Sequence, residues 1–269
     1  MKIMLFMLLS FVLGSLSSIL SPLCASERFI DGEELVYTVK WTGVPAGAIT
    51  MKTKRLSSSK LKFELKAETN RFWSMVHKVR DVITSEVIES PFSSQVYYKN
   101  AKQGRRHIEE KAEMDYEALK VRRRKQNHSA KEQAYTELLD MPEGTTALQD
   151  PFSMIYYLRT FNFSDPSLLK QKFHVFASKG VYSINFKMLG ESNFKSSIFG
   201  NRRVWNIEPS AEYEGSLVSK GRLELWVDCE TGIPLRLMFH IPVGWATLEL
   251  KTSNHPRLKS TSFRQRRRR

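Results

Sequence analysis

From residue 35 onward, apolar and polar side chains alternate along much of the chain, the rhythm of half-buried strands in antiparallel sheets. Leu35, Tyr37, Val39 and Trp41 take every second position; Gly43, Pro45 and Gly47 interrupt; Ile49 and Met51 resume, which predicts a hairpin. Leu61, Phe63, Leu65 and Ala67 repeat the pattern, as do Phe173 with Val175 and the run Tyr182, Ile184, Phe186, Met188. Toward the end, Leu223, Leu225 and Val227 lead into a turn over Asp228 to Gly232, and Leu235, Leu237, Phe239 and Ile241 return from it. Ala246, Leu248 and Leu250 make one more strand. Helical signals are fewer. Asp150 before Pro151 reads as an N-cap with a first-turn proline, and Phe152, Ile155, Tyr156 and Arg159 fall at helical spacing, predicting a short helix from Pro151 to about Thr160. As a cap, the Asp150 side chain would contribute about 1 kcal/mol. Asn70 before Phe72, Trp73 and Val76 predicts another turn or two of helix. His107 to Lys125 suits either period, with strand favoured. The expected architecture is mainly β: one antiparallel sheet in a single domain, with one or two short helices.

The ends read differently from the body. Lys2, the apolar run Ile3 to Leu13 and the small and polar residues through Ser26 have the layout of a cleavable secretory signal peptide, residues 1–26, with the mature chain expected to begin between Ala25 and Glu27. Ser21, Pro22 and Leu23 before Cys24 make a poor lipobox, so a lipoprotein is the less favoured outcome and Cys229 the cysteine that remains. The β-rich body is placed at residues 27–253. Residues 254–269, with Arg257, Lys259, Arg264, Arg266, Arg267, Arg268 and Arg269 and no acid, read as a flexible basic tail suited to an anionic surface. That tail supplies much of the excess of 42 Lys and Arg over 28 Asp and Glu, a net charge of +14.

Three blocks resemble one family. Gly32, Glu33, Glu34, Leu35, Val36 and Tyr37 through Trp41, then Gly43, Ala46 and Gly47, look like its opening. Asp150, Ser153, Tyr157, Leu158 and Arg159 look like its central helix, and Trp226, Asp228, Pro234 and Gly244 like its closing strands. In this order they resemble the domain-of-unknown-function 3108 family of exported bacterial proteins. The resemblance implies a periplasmic protein built on an antiparallel sheet, strongly curved or barrel-like, and it brings no catalytic residues with it.

Motifs of catalysis are missing from the chain. There is no Gly-x-Ser-x-Gly elbow, no phosphate-binding Gly-rich loop, no dinucleotide fingerprint and no pair of histidines spaced for zinc, so no cofactor or metal is expected. The histidines at 77, 107, 128, 174, 240 and 255 are scattered. Cys229, between Asp228 and Glu230, should have a raised pKa and be a poor nucleophile. Asp228, Glu230 and Gly232 read as a β-turn in preference to half a calcium loop. Arg159 either binds a carboxylate or phosphate ligand or pairs with an acid of the chain, the second being favoured. Arg105 with Arg106, and Arg122 to Lys125, read as solvated charge runs, and an exported protein has little occasion to meet nucleic acid.

What is abundant is apolar and aromatic: 16 Phe, 9 Tyr, 5 Trp and 10 Met. A curved sheet can arrange such residues round a cavity, so Tyr37, Trp41, Phe63, Tyr182 and Phe186 are expected to face inward and border a space for a lipid or acyl ligand, with Arg159 beside them. The expected function is that of a non-catalytic periplasmic envelope protein binding or carrying an apolar or lipid-like component. The alternative is an envelope assembly or scaffolding protein that docks another protein, of unknown identity, through a sheet edge. An unrecognised hydrolase ranks third.

Overall fold

The computed structural model describes residues 28–130, 133–165, 167–168, 171–177, 180–211, 223–240 and 244–260. The predicted signal peptide, Cys24 and the arginines 264 and 266–269 lie outside them. A first meander runs through β1 (Glu34–Trp41), β2 (Val44–Arg55), β3 (Lys60–Thr69), helix α1 (Arg71–Val76), β4 (Val79–Glu89), β5 (Phe92–Gln103), β6 (Arg106–Asp115), β7 (Lys120–Asn127) and β8 (Tyr135–Asp140). The second comprises β9 (Leu148–Gln149), helix α2 (Ser153–Tyr157) with a 3-10 turn over Leu158–Thr160, β10 (Phe173–Ala177), β11 (Gly180–Ser196), β12 (Gly200–Ala211), β13 (Leu223–Asp228), β14 (Pro234–His240) and β15 (Trp245–Ser253).

Antiparallel pairing of β1 with β15 joins the meanders into one sheet, ordered β8-β7-β6-β5-β4-β3-β2-β1-β15-β14-β13-β12-β11-β10-β9 among the described residues. Only β9 and β10 run parallel. Register shifts at Val39/Lys40, Glu86/Val87, Met188/Gly190 and Trp226/Val227 mark bulges, which add twist and bend the strands. The sheet curls until β8 approaches β11 and β9 lies against β5, yet the end strands β8 and β9 do not pair, so it stays open. This is the antiparallel architecture that the alternation predicts, with the curvature that the family resemblance implies. Each strand crosses from a rim holding Glu34 to one holding Trp41, or back.

The concave face is filled. Leu35, Tyr37, Leu61, Phe63, Val204, Leu225 and Leu237 point into it and are buried. Helix α2 enters between the sheet walls, stacking Tyr156 on Phe63 with ring centroids 3.6 Å apart, while Phe29, Phe92 and Phe152 close round that pair.

Several elements differ from expectation. β4, β5, β8 and β12 have no assignment in the sequence reading: a bulge at Gln95 breaks the period of β5, polar Ser85 on the buried face hides that of β4, and the exposed edge strand β8 has little apolar face to show. The segment His107 to Lys125 resolves into β6 and β7, with Arg123 buried between Glu110 and Glu137 where a solvated run is expected. The central helix starts at Ser153, after Asp150 and Pro151, and ends in 3-10 geometry. The packed body also continues past Ser253. Asn254 accepts from the Glu34 amide and donates to the Gly32 carbonyl, His255 is buried, and Leu258 is wholly buried in the core, so the tail boundary at 254 is too early.

Candidate functional site

The chain enters α2 through a polar knot. Asp150 is fully buried; its carboxylate accepts from the Phe152 and Ser153 amides at 2.8 Å each, from the Ser94 hydroxyl at 2.6 Å and from the Ser85 hydroxyl. The Ser153 hydroxyl accepts from the Asp150 amide and donates to Gln149 Oε1, whose Nε2 donates to the Phe92 carbonyl. Burial pushes the Asp150 carboxyl upward in pKa, against these donors. Every oxygen is taken by the chain. Asp150 is a cap, as its spacing suggests, and also a clamp between α2 and strands β4 and β5.

Arg159, in the 3-10 turn, holds Glu33 bidentately, Nη1 to Oε2 at 2.6 Å and Nη2 to Oε1 at 3.0 Å, and donates to the Arg28 carbonyl at 2.5 Å. Both side chains are sealed from water, and the guanidinium lies 5.3 Å from the Phe29 ring centroid and 5.8 Å from that of Tyr156. The pairing is the acid partnership favoured from sequence, which leaves only Nε unpartnered. Gly232 makes the close approach possible: it sits at φ +69, which other residues rarely adopt, and a Cβ there would come 2.9 Å from the Arg159 Cα.

Under this pair, at the Glu34 rim, lies a cavity of about 220 Å³. One wall is aromatic: Phe161, Phe163 and Trp205 run outward from the core, with centroids 5.8 Å and 6.5 Å apart in sequence. Arg28, Arg203, His255 and Arg257 contribute cationic and polar groups. The Asp228 carboxylate in the same wall is engaged by Arg202 at 2.7 and 2.8 Å and by the Thr231 amide and hydroxyl, which makes the turn a side-chain-closed β-turn. Cys229 has its thiol pushed up to about 11, first by burial and then by Glu191, with Asp228 a lesser contributor; the direction matches expectation, the main cause does not. Burial likewise lowers the pKa of His255, leaving a neutral ring in the wall.

The five aromatic candidates do not form one lining. Tyr37 is fully buried, its hydroxyl donating to the Pro234 carbonyl at 2.9 Å, and burial drives its pKa far up. Phe63 belongs to the Tyr156 stack, Phe186 packs on Phe161 and Phe173, and Tyr182 is half-buried on β11. Trp41 does not face inward: it ends β1 at the opposite rim, past the bulge at Val39/Lys40, exposed and stacked on Trp73 at 6.1 Å. Arg159 and Phe186 approach one region, through Phe161; Tyr37 and Phe63 belong to the packed interior. Sequence reasoning misses Phe161, Phe163, Trp205 and Glu33 as site residues. The motif block beginning Gly32-Glu33 is the one signal that pointed to Glu33. His107 and His128 also meet, rings 4.3 Å apart, across β6 and the β7 turn, with His128 on Glu109.

An open, curled antiparallel sheet with a helix packed inside it and a small amphiphilic cavity at one rim defines a β-barrel-like protein. The chain belongs to the DUF3108 family of proteins of unknown function, whose pattern it matches over residues 36–251. Among solved structures it is similar to the β-barrel-like protein of the domain of unknown function DUF1849 from Brucella abortus, with a TM-score of 0.56 at 10% identity, covering 84% of this chain and 98% of that one. MucB aligns with a TM-score of 0.32 at 11% identity, over 89% of this chain and 58% of MucB. The Pseudomonas aeruginosa MucA/MucB complex aligns at 0.32 and 12%, over 86% and 53%. The first likeness is one of fold; the others are too slight to carry a functional argument. No curated protein matches the chain.

Proposed function

We propose that this protein works in the cell envelope as a non-catalytic binder of a lipid-like molecule with an anionic group, held at the Glu34 rim. The observation that carries the reading is the juxtaposition, in one cavity, of the Phe161, Phe163 and Trp205 wall with Arg28, Arg203 and Arg257. An acyl segment laid on the aromatic wall gains about 0.8 kcal/mol per buried methylene, and a carboxylate or phosphate beside the guanidinium groups keeps its charge-assisted hydrogen bonds. Because Arg159 is committed to Glu33, its role in this reading is to hold the floor of the cavity, with Arg28 and Arg257 nearer the ligand. The layout of residues 1–26 supports export, and N-terminal sequencing of the native protein is expected to begin between Ala25 and Glu27.

Titration with brominated fatty acids and phospholipids tests the binding, since bromine quenches a nearby indole. Saturable quenching that Trp205→Phe largely abolishes, and that Arg257→Glu weakens roughly tenfold, is expected. Absence of saturable quenching at micromolar protein would reject the reading. The scaffold alternative rests on the open edge strand β8, where Tyr135 is 47% and Leu138 60% exposed. An unpaired edge of that kind can accept a strand from another protein. Site-specific photocrosslinking from position 138 in living cells decides it: a discrete protein adduct favours docking, none disfavours it.

A further inference from the structure

Helix α1 is amphipathic in neither direction: of its six residues Phe72, Trp73, Met75 and Val76 are large and apolar, and none is buried. Phe72 is 63%, Met75 77% and Val76 73% exposed, an arrangement a water-facing surface does not favour. The helix is nonetheless firmly held. The Asn70 side chain caps it at the Trp73 amide and donates to the Pro45 carbonyl, and the Asn70 amide donates to the Ala46 carbonyl. Trp73 lies parallel to Trp41, and the Thr42 amide donates to the carbonyl of exposed Trp245, so exposed Trp41, Val44 and Trp245 share the rim that carries α1.

Cations flank it. The Gly104 amide donates to the Lys78 carbonyl at 2.7 Å, which sets the β5–β6 turn, with exposed Arg105 and Arg106, beside the exit of α1. Nearby acids are turned elsewhere: Asp81 accepts from Gln103 and the Lys102 amide, Glu109 meets His128, and Glu68 stands opposite Arg80 in register.

We propose that the Trp41 rim docks on the surface of a bilayer containing anionic phospholipid, with Phe72, Met75 and Val76 entering the interface, Trp41 and Trp245 at headgroup level, and Lys78, Arg105 and Arg106 against the phosphates. Apolar side chains on a raised element, indoles at its base and flanking cations are the composition that favours interfacial residence, and the cations select an anionic lipid surface over a zwitterionic or basic one. The proposal stands apart from occupancy of the cavity, which lies at the opposite rim.

The protein as recovered from expressing cells is sedimented with vesicles of phosphatidylcholine alone and of phosphatidylcholine with about one third phosphatidylglycerol. Preferential partition to the anionic vesicles, with a blue shift of tryptophan emission, is expected. The triple variant Phe72→Ser, Met75→Ser, Val76→Ser should partition at least about tenfold more weakly with an unchanged near-ultraviolet circular dichroism spectrum, since it removes no buried side chain. Lys78→Glu with Arg105→Glu and Arg106→Glu should erase the preference for phosphatidylglycerol. Equal partition of parent and serine variant overturns the proposal, as does loss of vesicle binding on deleting Arg264 to Arg269 alone. Retained partition with loss of a co-purifying protein would make the rim a protein interface and overturn it as well.

Discussion

Replacing Asp150 by Ala removes the acceptor for four donors, the Phe152 and Ser153 amides and the Ser85 and Ser94 hydroxyls, in a site with no access to water. A helix cap alone is worth about 1 kcal/mol. Each stranded buried donor adds about 1–3 kcal/mol; relief of the carboxylate's own desolvation and rotation of the two hydroxyls offset part of that. The expected loss is therefore about 3–5 kcal/mol, read from urea unfolding as a lower midpoint at unchanged m-value. Asp150→Asn keeps one oxygen for the two amides and turns an amide donor toward serine hydroxyls that can rotate to accept, so it should cost only about 1–2 kcal/mol. Affinity for an acyl probe, per mole of folded protein, should be unchanged in both variants. A cost for Ala of 1 kcal/mol or less would reduce Asp150 to a plain cap and refute the clamp between α2, β4 and β5. Lost affinity at undiminished stability would make it a ligand contact.

Glu33→Gln should destabilise by about 3–5 kcal/mol, because the Arg159 guanidinium would stay buried without its counter-charge; Arg159→Met added to it should recover part of the loss in the same urea assay. Stability should fall as pH drops below about 6.5. Burial holds the folded-state pKa of His255, and of His174, below the unfolded value, so the unfolded chain binds more protons there and the stability present above the unfolded pKa is lost as pH falls through the folded one. His255→Gln should flatten that slope, measured as urea midpoint against pH; an unaltered slope would remove His255 from the account. Cys229, with its thiol pushed up to about 11, should react with iodoacetamide at neutral pH far more slowly than in the urea-unfolded chain, followed by mass spectrometry, and equal rates would contradict its shielded setting.

Where the inward residues of a strand keep a two-residue spacing, alternation sufficed to find it. β1, β3, β13 and β15 carry their inward residues at strict two-residue spacing, and the capping residues Asn70 and Asp150 announce both helices through local chemistry. β5 escaped because the register shift opposite Glu86/Val87 inserts Gln95 into it, and β4 because its buried face holds polar Ser85 beside Val87 while apolar Val82 and Ile88 fall on the other face. β7 carries too many arginines to read as a core strand. Arg123 is inward all the same, because Glu110 and Glu137 lie on the two strands flanking β7 and both pair with its guanidinium. Pairing of that kind is set by strand order, which no local window of sequence contains.

The candidate site was less legible for the same reason carried further. Glu33 and Arg159 meet across 126 residues of sequence, and the cavity below them draws Arg28 from before β1, Phe161 and Phe163 from after α2, Trp205 from β12 and Arg257 from beyond β15. None of these residues is unusual where it stands; they become a site only when β1 pairs with β15 and brings both ends of the chain to one rim. The question left open by aromatic content, whether a curved sheet is filled or lined, was likewise decided by a nonlocal event, the insertion of α2 with Tyr156 against Phe63. That helix occupies the space an acyl chain would need in the middle of the sheet. Any such ligand is thereby displaced to where the aromatic surface emerges at a rim, beyond the reach of α2, and it is there that Phe163 and Trp205 stand beside arginine.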